Sequence, residues 1–323
     1  MVNKLIKTYN DTVDKIKNHP KLKELNSWSK KYSPRGFRGV SIYDVYHFIM
    51  QEFKKDNLTT RANSIAFSLF LSLFPAIIFL FTLLPLIPIV QDYMLTLKLE
   101  LSRIIPKNAN DYLFGIIEDI TSIKRDGLLS IGFLLALFFS SNGMLTLMSG
   151  FDKTYSDTFK PRNLIRKRII AIALTIILTI LLIMSLAMLV AESKIFGYLR
   201  AQYAMPEALL LLFTLVKWTV AIALVYTGIT IIYAYGPSMY RKVRFINVGS
   251  VIATFLSLLT SLGFSFFINN FGRYNEIYGS IGALIVAMIW IQLNSFILLV
   301  GFELNASIAI NRDINYKRSK NVL

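Results

Sequence analysis

Six long apolar stretches, separated by short polar segments, constrain this chain more than any other feature of its sequence. They cover roughly 63–90, 128–148, 168–191, 208–234, 246–268 and 281–305. Each supplies the ~20 residues that an α-helix needs to cross ~30 Å of hydrocarbon. With a mean hydropathy of +0.54, they predict an all-α polytopic membrane protein, a bundle of six transmembrane helices.

The distribution of basic residues predicts the orientation of this bundle. Of the 35 Lys and Arg residues, 26 lie before the first span, in 148–168, in 235–245 and after the sixth span, against 8 in the alternate connections. Basic connections stay on the cytoplasmic side of a membrane. We therefore expect both termini in the cytoplasm. The net charge of +16 fits this topology and attraction to anionic headgroups of the inner leaflet, so no nucleic-acid partner is expected.

The polar segments divide the chain into a basic region, 1–60, a membrane domain, 61–311, and a cytoplasmic tail, 312–323. In the first region Ser41 is a candidate N-cap with Asp44 three residues later. Apolar residues then recur on one helical face at Ile42, Val45, Tyr46, Ile49 and Phe53. This amphipathic helix either lies along the inner membrane surface or packs against the ends of the bundle, and the sequence leaves both open.

The longest external connection, 91–127, contains two further amphipathic pieces, Leu95–Ile105 and Asn110–Ile123, separated by Pro106. Loops of this length inside a folded domain commonly have a function. We expect it to cap a cavity or to meet an envelope protein partner.

Several chemistries are excluded by composition. The chain has no cysteine, and its two histidines, His19 and His47, are too far apart in sequence for a local zinc motif. No G-x-x-x-x-G-K-[ST] phosphate-binding motif occurs. We therefore expect no metal site, no cofactor, no catalytic residue and no enzymatic activity, and any transport is passive, ion-coupled or driven by a partner.

Polar residues recur within the spans at helical spacing. Ser64, Ser68 and Ser72 share one face of the first span, and Ser257, Ser261 and Ser265 share one face of the fifth. Such stripes are either packing seams or the wall of a polar cavity. Pro75, Pro85 and Pro88 are expected to kink or end the first span. The second span is interrupted at Ser140-Ser141-Asn142-Gly143, where Asn142 needs an interhelical partner or water.

Two charged residues lie within the spans. If the fourth span starts near Pro206, Lys217 lies about 16 Å inside it, close to the bilayer midplane. It either snorkels to the outer surface or faces an internal cavity suited to an anionic headgroup. Near the cytoplasmic end of the sixth span, Glu303 is expected to pair with arginines of 162–168 or 241–244, with proton coupling as the alternative. Asn294, Gly301 and Asn305 share a face of the same span.

Five segments carry a family resemblance: Ser72-Leu73-Phe74-Pro75, Phe151-Asp152-Lys153-Thr154-Tyr155, Tyr235-Gly236-Pro237, Tyr278-Gly279-Ser280-Ile281-Gly282 and Gly301-Phe302-Glu303-Leu304-Asn305. By these segments the chain resembles the YihY/BrkB family of bacterial inner-membrane proteins over roughly 40–310. The resemblance implies six helices, a bacterial cytoplasmic membrane and an envelope role. The chain departs from the family near 140, where a tryptophan-containing stretch is common. Members were once described as ribonuclease BN, but no metal cluster or acid–base pair for phosphodiester cleavage is evident here.

The preferred hypothesis is a transporter or flippase-like protein for an anionic envelope lipid or amphiphile, with Lys217 neutralising the headgroup. Eight polar side chains would line its route: Ser64, Ser68, Ser72, Asn142, Lys217, Ser257, Ser261 and Asn294. The alternative is a non-transporting envelope scaffold or assembly factor that works through its basic face and 91–127. A membrane enzyme ranks third, because it would need facing carboxylates that the spans do not contain.

Overall fold

The computed structural model describes residues 20–55, 58–83, 115, 126–202, 207–270 and 273–321. Two short helices come first, α1 (Pro20–Lys31) and α2 (Ile42–Lys55), with a single 3-10 turn between them at Arg35–Phe37. Six long helices follow: α3 (Leu58–Leu83), α4 (Asp126–Gly150), α5 (Leu164–Gln202), α6 (Glu207–Tyr235), α7 (Val248–Asn270) and α8 (Arg273–Asn321).

The predicted all-α class is confirmed, and each of α3 to α8 is long and apolar enough to cross a membrane. Most boundaries lie within a few residues of those predicted, but α3 begins five residues earlier, at Leu58. It also continues through Pro75 to Leu83 without ending. The last helix runs on to Asn321, so the residues predicted as a tail after 311 extend that helix. Pro85, Pro88 and the two helical pieces predicted in 91–127 lie outside the described residues, except for Gly115, which is helical.

The six long helices form a ring. Each packs mainly on its neighbours in sequence, and α8 closes the ring by packing on both α7 and α3. One end of this ring, which we call the basic end, is formed by α1, α2, the connections 151–163 and 236–247, and the last part of α8. These two connections are joined by an antiparallel bridge between Phe159 and Met239.

Helix α2 packs against the bundle at the basic end. The Ser41 hydroxyl accepts a hydrogen bond from the Asp44 amide at 3.0 Å, as predicted for an N-cap. Val45 is buried with Val40 and Ile308, the latter from α8. Helix α2 therefore contacts the bundle through Val45, and its contact with the membrane surface stays a prediction.

Packing is tight at the basic end and loosens away from it on one side of the ring. Where the structure describes burial, buried residues occur no farther from the basic end than Thr175 in α5, Gly228 in α6 and Thr254 in α7. The other side stays packed much farther, to Phe79 in α3 and Ala136 in α4. Among the described residues, fully buried positions of α5, α6 and α7 are therefore confined to about three turns from the basic end, beyond which only half-buried and exposed residues follow, whereas α3 and α4 remain buried farther along.

Candidate functional site

A buried cluster of three charged side chains lies at the basic end, and its centre is Glu303 of α8. The Glu303 side chain is 0% exposed, and its Oε1 is 2.9 Å from Lys153 Nζ and 3.3 Å from Arg61 Nη1. Lys153 is itself 3% exposed. Arg61, at the start of α3, also donates to the Gly150 carbonyl at the end of α4. One carboxylate thus joins α8, α3 and the connection after α4, and the cluster carries a net charge of +1.

The expected partners of Glu303 were wrong. Arg162 instead donates to the carbonyls of Tyr235, Gly236 and Pro237 at 3.1, 2.8 and 2.8 Å. It thereby satisfies carbonyls that the C-terminus of α6 leaves without helical partners. Burial lowers the pKa of the Arg162 guanidinium, while Asp152 opposes that shift. A sequence signal for the true partner existed, because Lys153 lies inside one of the segments that carry the family resemblance.

In the segment 151–155, successive side chains contact the aromatic core and the charged residues around it. The Phe151 ring is fully buried and lies 4.5 Å from the Phe302 ring and 5.9 Å from that of Tyr233. Asp152 forms an ion pair with Lys167, and Lys153 reaches Glu303. Three consecutive side chains therefore attach this segment to the aromatic core, to the start of α5 and to α8.

The segment 301–305 holds α8 against α7. A Cβ on Gly301 would overlap the Tyr233 hydroxyl and the Gly249 carbonyl, so only glycine allows this approach. Asn305 Oδ1 accepts from the Gly249 amide at 3.0 Å, and Asn305 Nδ2 donates to Asn247 Oδ1 at 2.8 Å. Three family motif residues of one helical turn thus have three different contacts. Gly301 allows close packing on α6 and α7, Glu303 belongs to the ion cluster, and Asn305 belongs to a network of amide hydrogen bonds.

Two of the eight predicted cavity residues take part in packing. The Ser72 side chain is buried and donates to the Leu69 carbonyl at 2.8 Å, and its hydroxyl would overlap a Cβ on Gly143. Ser72 therefore lies in a seam between α3 and α4, the packing alternative for its stripe, and its place in a route stays a prediction. Asn142 has the interhelical partner that it needs, since its Oδ1 accepts from Arg168 Nη1 at 2.7 Å.

The other six predicted residues are spread over four helices. Ser64 is exposed, while the remaining ones are half-buried: Ser68, Lys217, Ser257, Ser261 and Asn294. Asn294 donates to the Trp290 carbonyl in its own helix at 2.9 Å. The side chains beside Lys217 on α6 are exposed, Val216 by 50% and Trp218 by 55%. Whether these residues line a common route stays a prediction.

The remaining family motif residues lie within α3 and α8. Pro75 lies inside α3, half-buried, and Tyr278 and Gly279 lie in the first part of α8, where Gly282 is buried. In the described part of the chain, no three His, Asp or Glu side chains come together as metal ligands.

Comparison with known proteins identifies the family. The model of the family described as virulence factor BrkB matches residues 49–322. The protein YfkH of Bacillus subtilis (strain 168), which is named ribonuclease-like, is 30% identical over 76% of this chain and 88% of its own length. A UPF0761 membrane protein of Alteromonas mediterranea is 26% identical, over 82% of this chain and 87% of the relative. One from Paraburkholderia xenovorans is also 26% identical, over 79% of this chain and 57% of the relative. No solved structure matches the chain. The chain belongs to the virulence factor BrkB family of bacterial membrane proteins.

Proposed function

We propose that this protein moves an anionic lipid or amphiphile across the bacterial cytoplasmic membrane, with its basic end and both termini in the cytoplasm. The observation that carries the proposal is the asymmetry of packing along the ring. Among the described residues, α5, α6 and α7 have fully buried positions only near the basic end. We take this asymmetry as that of a bundle that is closed at the basic end and more accessible beyond it, as in a transporter open to one side.

The basic end would act as the closed gate. Its centre is the aromatic contact of Phe151 with Tyr233 and Phe302, and the Glu303 cluster lies beside it. The Tyr233 hydroxyl donates to the Leu298 carbonyl at 2.7 Å, which ties α6 to α8. Opening this end requires these contacts to exchange, because packed interfaces switch between discrete arrangements rather than deform continuously.

Lys217 lies in the part of α6 that has no fully buried position among the described residues. It is about 27 Å along the α6 axis from Tyr235 and about 6 Å from the midpoint of that helix. A lysine at such depth in hydrocarbon costs several kcal/mol unless water or an acceptor solvates it. An opening between α6 and its neighbours would supply that solvation. An anionic headgroup entering the same opening would meet a positive charge and the half-buried hydroxyls of Ser257 and Ser261.

We infer that the chain is not a nuclease. The carboxylate at the centre of the site is ion-paired with two cations and is 0% exposed. A general base must reach the group that it deprotonates, and Glu303 has no such access in this arrangement. The ribonuclease-like name of one relative is therefore not extended to this protein.

The test is translocation of fluorescent lipids in liposomes reconstituted with the purified chain. Labelled phosphatidylglycerol and phosphatidylcholine are compared for the wild type, Lys217→Met and Lys217→Arg. The matched control is Lys160→Met, which removes an exposed lysine from a connection at the basic end. We expect movement of phosphatidylglycerol that Lys217→Met reduces about tenfold or more and Lys217→Arg retains, because losing one close charge contact is worth at least about 1.4 kcal/mol.

One outcome would reject this function, and a second would reject the role of Lys217 in it. Folded protein that moves neither lipid above the rate of empty liposomes would favour the scaffold alternative. Equal movement by the wild type and Lys217→Met would remove Lys217 from the route.

A further inference from the structure

Three arginines from three separate parts of the chain line one pocket at the basic end, and a fourth, Arg244, lies near enough to act on the charge of Arg38. Arg38 comes from the turn after Arg35–Phe37, Arg241 and Arg244 from the connection before α7, and Arg312 from α8. Arg38, Arg241 and Arg312 line the pocket together with Lys242 and Asn305. A Cβ on Gly36 would overlap the side chain of Val248, so the turn that carries Arg38 sits directly against the start of α7.

The cluster is poorly compensated by acidic groups. Within the described residues, no ion pair joins Arg38, Arg241 or Arg244 to a carboxylate, and Arg312 pairs with its neighbour Asp313 at 2.8 Å. Lys242 lies over the ring of Tyr235, 4.1 Å from its centroid. Burial and the nearby charges of Arg312, Arg244 and Arg241 lower the pKa of the Arg38 guanidinium. Topology explains why this end is basic, but it does not by itself require three arginines from separate parts of the chain to line the same pocket.

The backbone at Arg38 is also strained. Its φ of 52° and ψ of 41° are left-handed, a conformation that costs a residue with a side chain about 1 kcal/mol or more. It is the one non-glycine residue with positive φ in the described part of the chain. Strain and like-charge repulsion therefore coincide at one residue, and both become understandable if Arg38 is held in place for a ligand.

The surroundings of the pocket resemble a membrane interface. Phe245 and Ile246 follow Arg244 directly and are 57% and 81% exposed, and Ile246 also lines the pocket. Apolar side chains beside arginines suit a site where acyl chains lie next to phosphates. This arrangement favours a lipid as the source of the phosphate over a free ion.

We propose that Arg38, Arg241 and Arg312, with Arg244 beside them, form a binding site for the phosphate of an anionic phospholipid headgroup at the basic end of the bundle. Guanidinium groups donate paired hydrogen bonds to phosphate oxygens, so several of them can share one phosphate. The site is separate from Lys217 and does not depend on the protein being a transporter. A lipid bound there would link the turn before α2, the connection before α7 and the end of α8.

The test measures binding of dioctanoyl-phosphatidylglycerol to the full chain in detergent by isothermal titration calorimetry. Dioctanoyl-phosphatidylcholine and inorganic phosphate are the comparison ligands. The variants are the double substitution Arg241→Gln with Arg244→Gln, and Arg38→Gly. The matched control is Lys160→Gln, an exposed lysine at the same end that is outside the pocket.

We expect phosphatidylglycerol to bind at least about tenfold more tightly than either comparison ligand, and the double substitution to weaken it by about tenfold or more. The control should bind as the wild type does. Arg38→Gly should weaken binding while keeping or raising Tm without lipid, because glycine removes both the strain and the repulsion. A residue with a purely structural role would lower Tm instead.

Three results would overturn the proposal. Unchanged phosphatidylglycerol affinity in the folded double variant would show that the arginines are not the site. Equal affinity for phosphatidylcholine would remove the selectivity for anionic headgroups. Inorganic phosphate binding as tightly as the lipid would make the ligand a free anion.

Discussion

Glu303→Gln should destabilise this protein more than removal of either cation that contacts Glu303. Lys153 Nζ and Arg61 Nη1 both lie against Oε1, at 2.9 and 3.3 Å, so the two nitrogens are at most about 6 Å apart. Without the carboxylate charge they repel each other by about 3 kcal/mol at an effective dielectric constant of ~20. Removing one partner of a buried ion pair commonly costs about 3–5 kcal/mol. We expect a loss in this range, because Lys153 is 3% exposed and cannot reach water.

Lys153→Met provides the contrast. It leaves one cation and one carboxylate, Arg61 and Glu303, still in contact, so its cost should be about 1 kcal/mol. The double variant Lys153→Met with Glu303→Gln leaves only Arg61, which is 23% exposed and can turn toward solvent. The double variant should therefore be more stable than Glu303→Gln alone. Such rescue requires the two side chains to be coupled and does not follow from separate packing defects.

Thermal unfolding of the detergent-solubilised protein, followed by tryptophan fluorescence, measures these differences. At roughly 2 °C for each kcal/mol in a protein of this size, Glu303→Gln should lower Tm by about 6–10 °C and Lys153→Met by about 2 °C. The reasoning is refuted if both single variants have the same Tm, or if the double variant unfolds at or below the Tm of Glu303→Gln.

Three further substitutions test the packing of the bundle by the same assay. Gly301→Ala should lower Tm by about 2–6 °C, because its methyl group overlaps α6 and α7, whereas Gly263→Ala, with no neighbour within 4 Å, should leave it unchanged or raise it slightly. Ser72→Leu should destabilise the seam between α3 and α4 by about 1–3 kcal/mol, while exposed Ser64→Leu should not. Arg162→Gln should lower Tm by about 2–6 °C, because up to three carbonyls at the end of α6 lose a charged donor.

Features that depend on neighbouring residues were predictable from the sequence. The six apolar stretches have the length that a membrane demands, so the spans could be identified without any knowledge of their contacts. The Ser41 cap was predictable for the same reason, since the hydroxyl and the Asp44 amide that it meets are three residues apart.

Features that depend on distant residues were not predictable in the same way. Arg61 and Glu303 are 242 residues apart, and several basic residues near that end were equally reasonable partners. The serine stripe of α3 shows a related ambiguity. Its spacing fixes which side of the helix the serines share, but Ser72 faces α4 and Ser64 is exposed. Helical spacing identifies the face that the serines share. Only the neighbouring helices determine whether that face packs against another helix or lines a cavity.

The segments that carry the family resemblance meet mainly at the basic end of the ring. Phe151 and Lys153 from one segment contact Phe302 and Glu303 from another, and the end of α6 is held by Arg162. Lys217 belongs to none of these segments. If the proposed transport is correct, family members share the gate at the basic end through these contacts. Their choice of substrate should then depend on side chains of α5, α6 and α7 beyond the last buried turn, and exchanging those helix portions between relatives should exchange substrate preference without altering the seal.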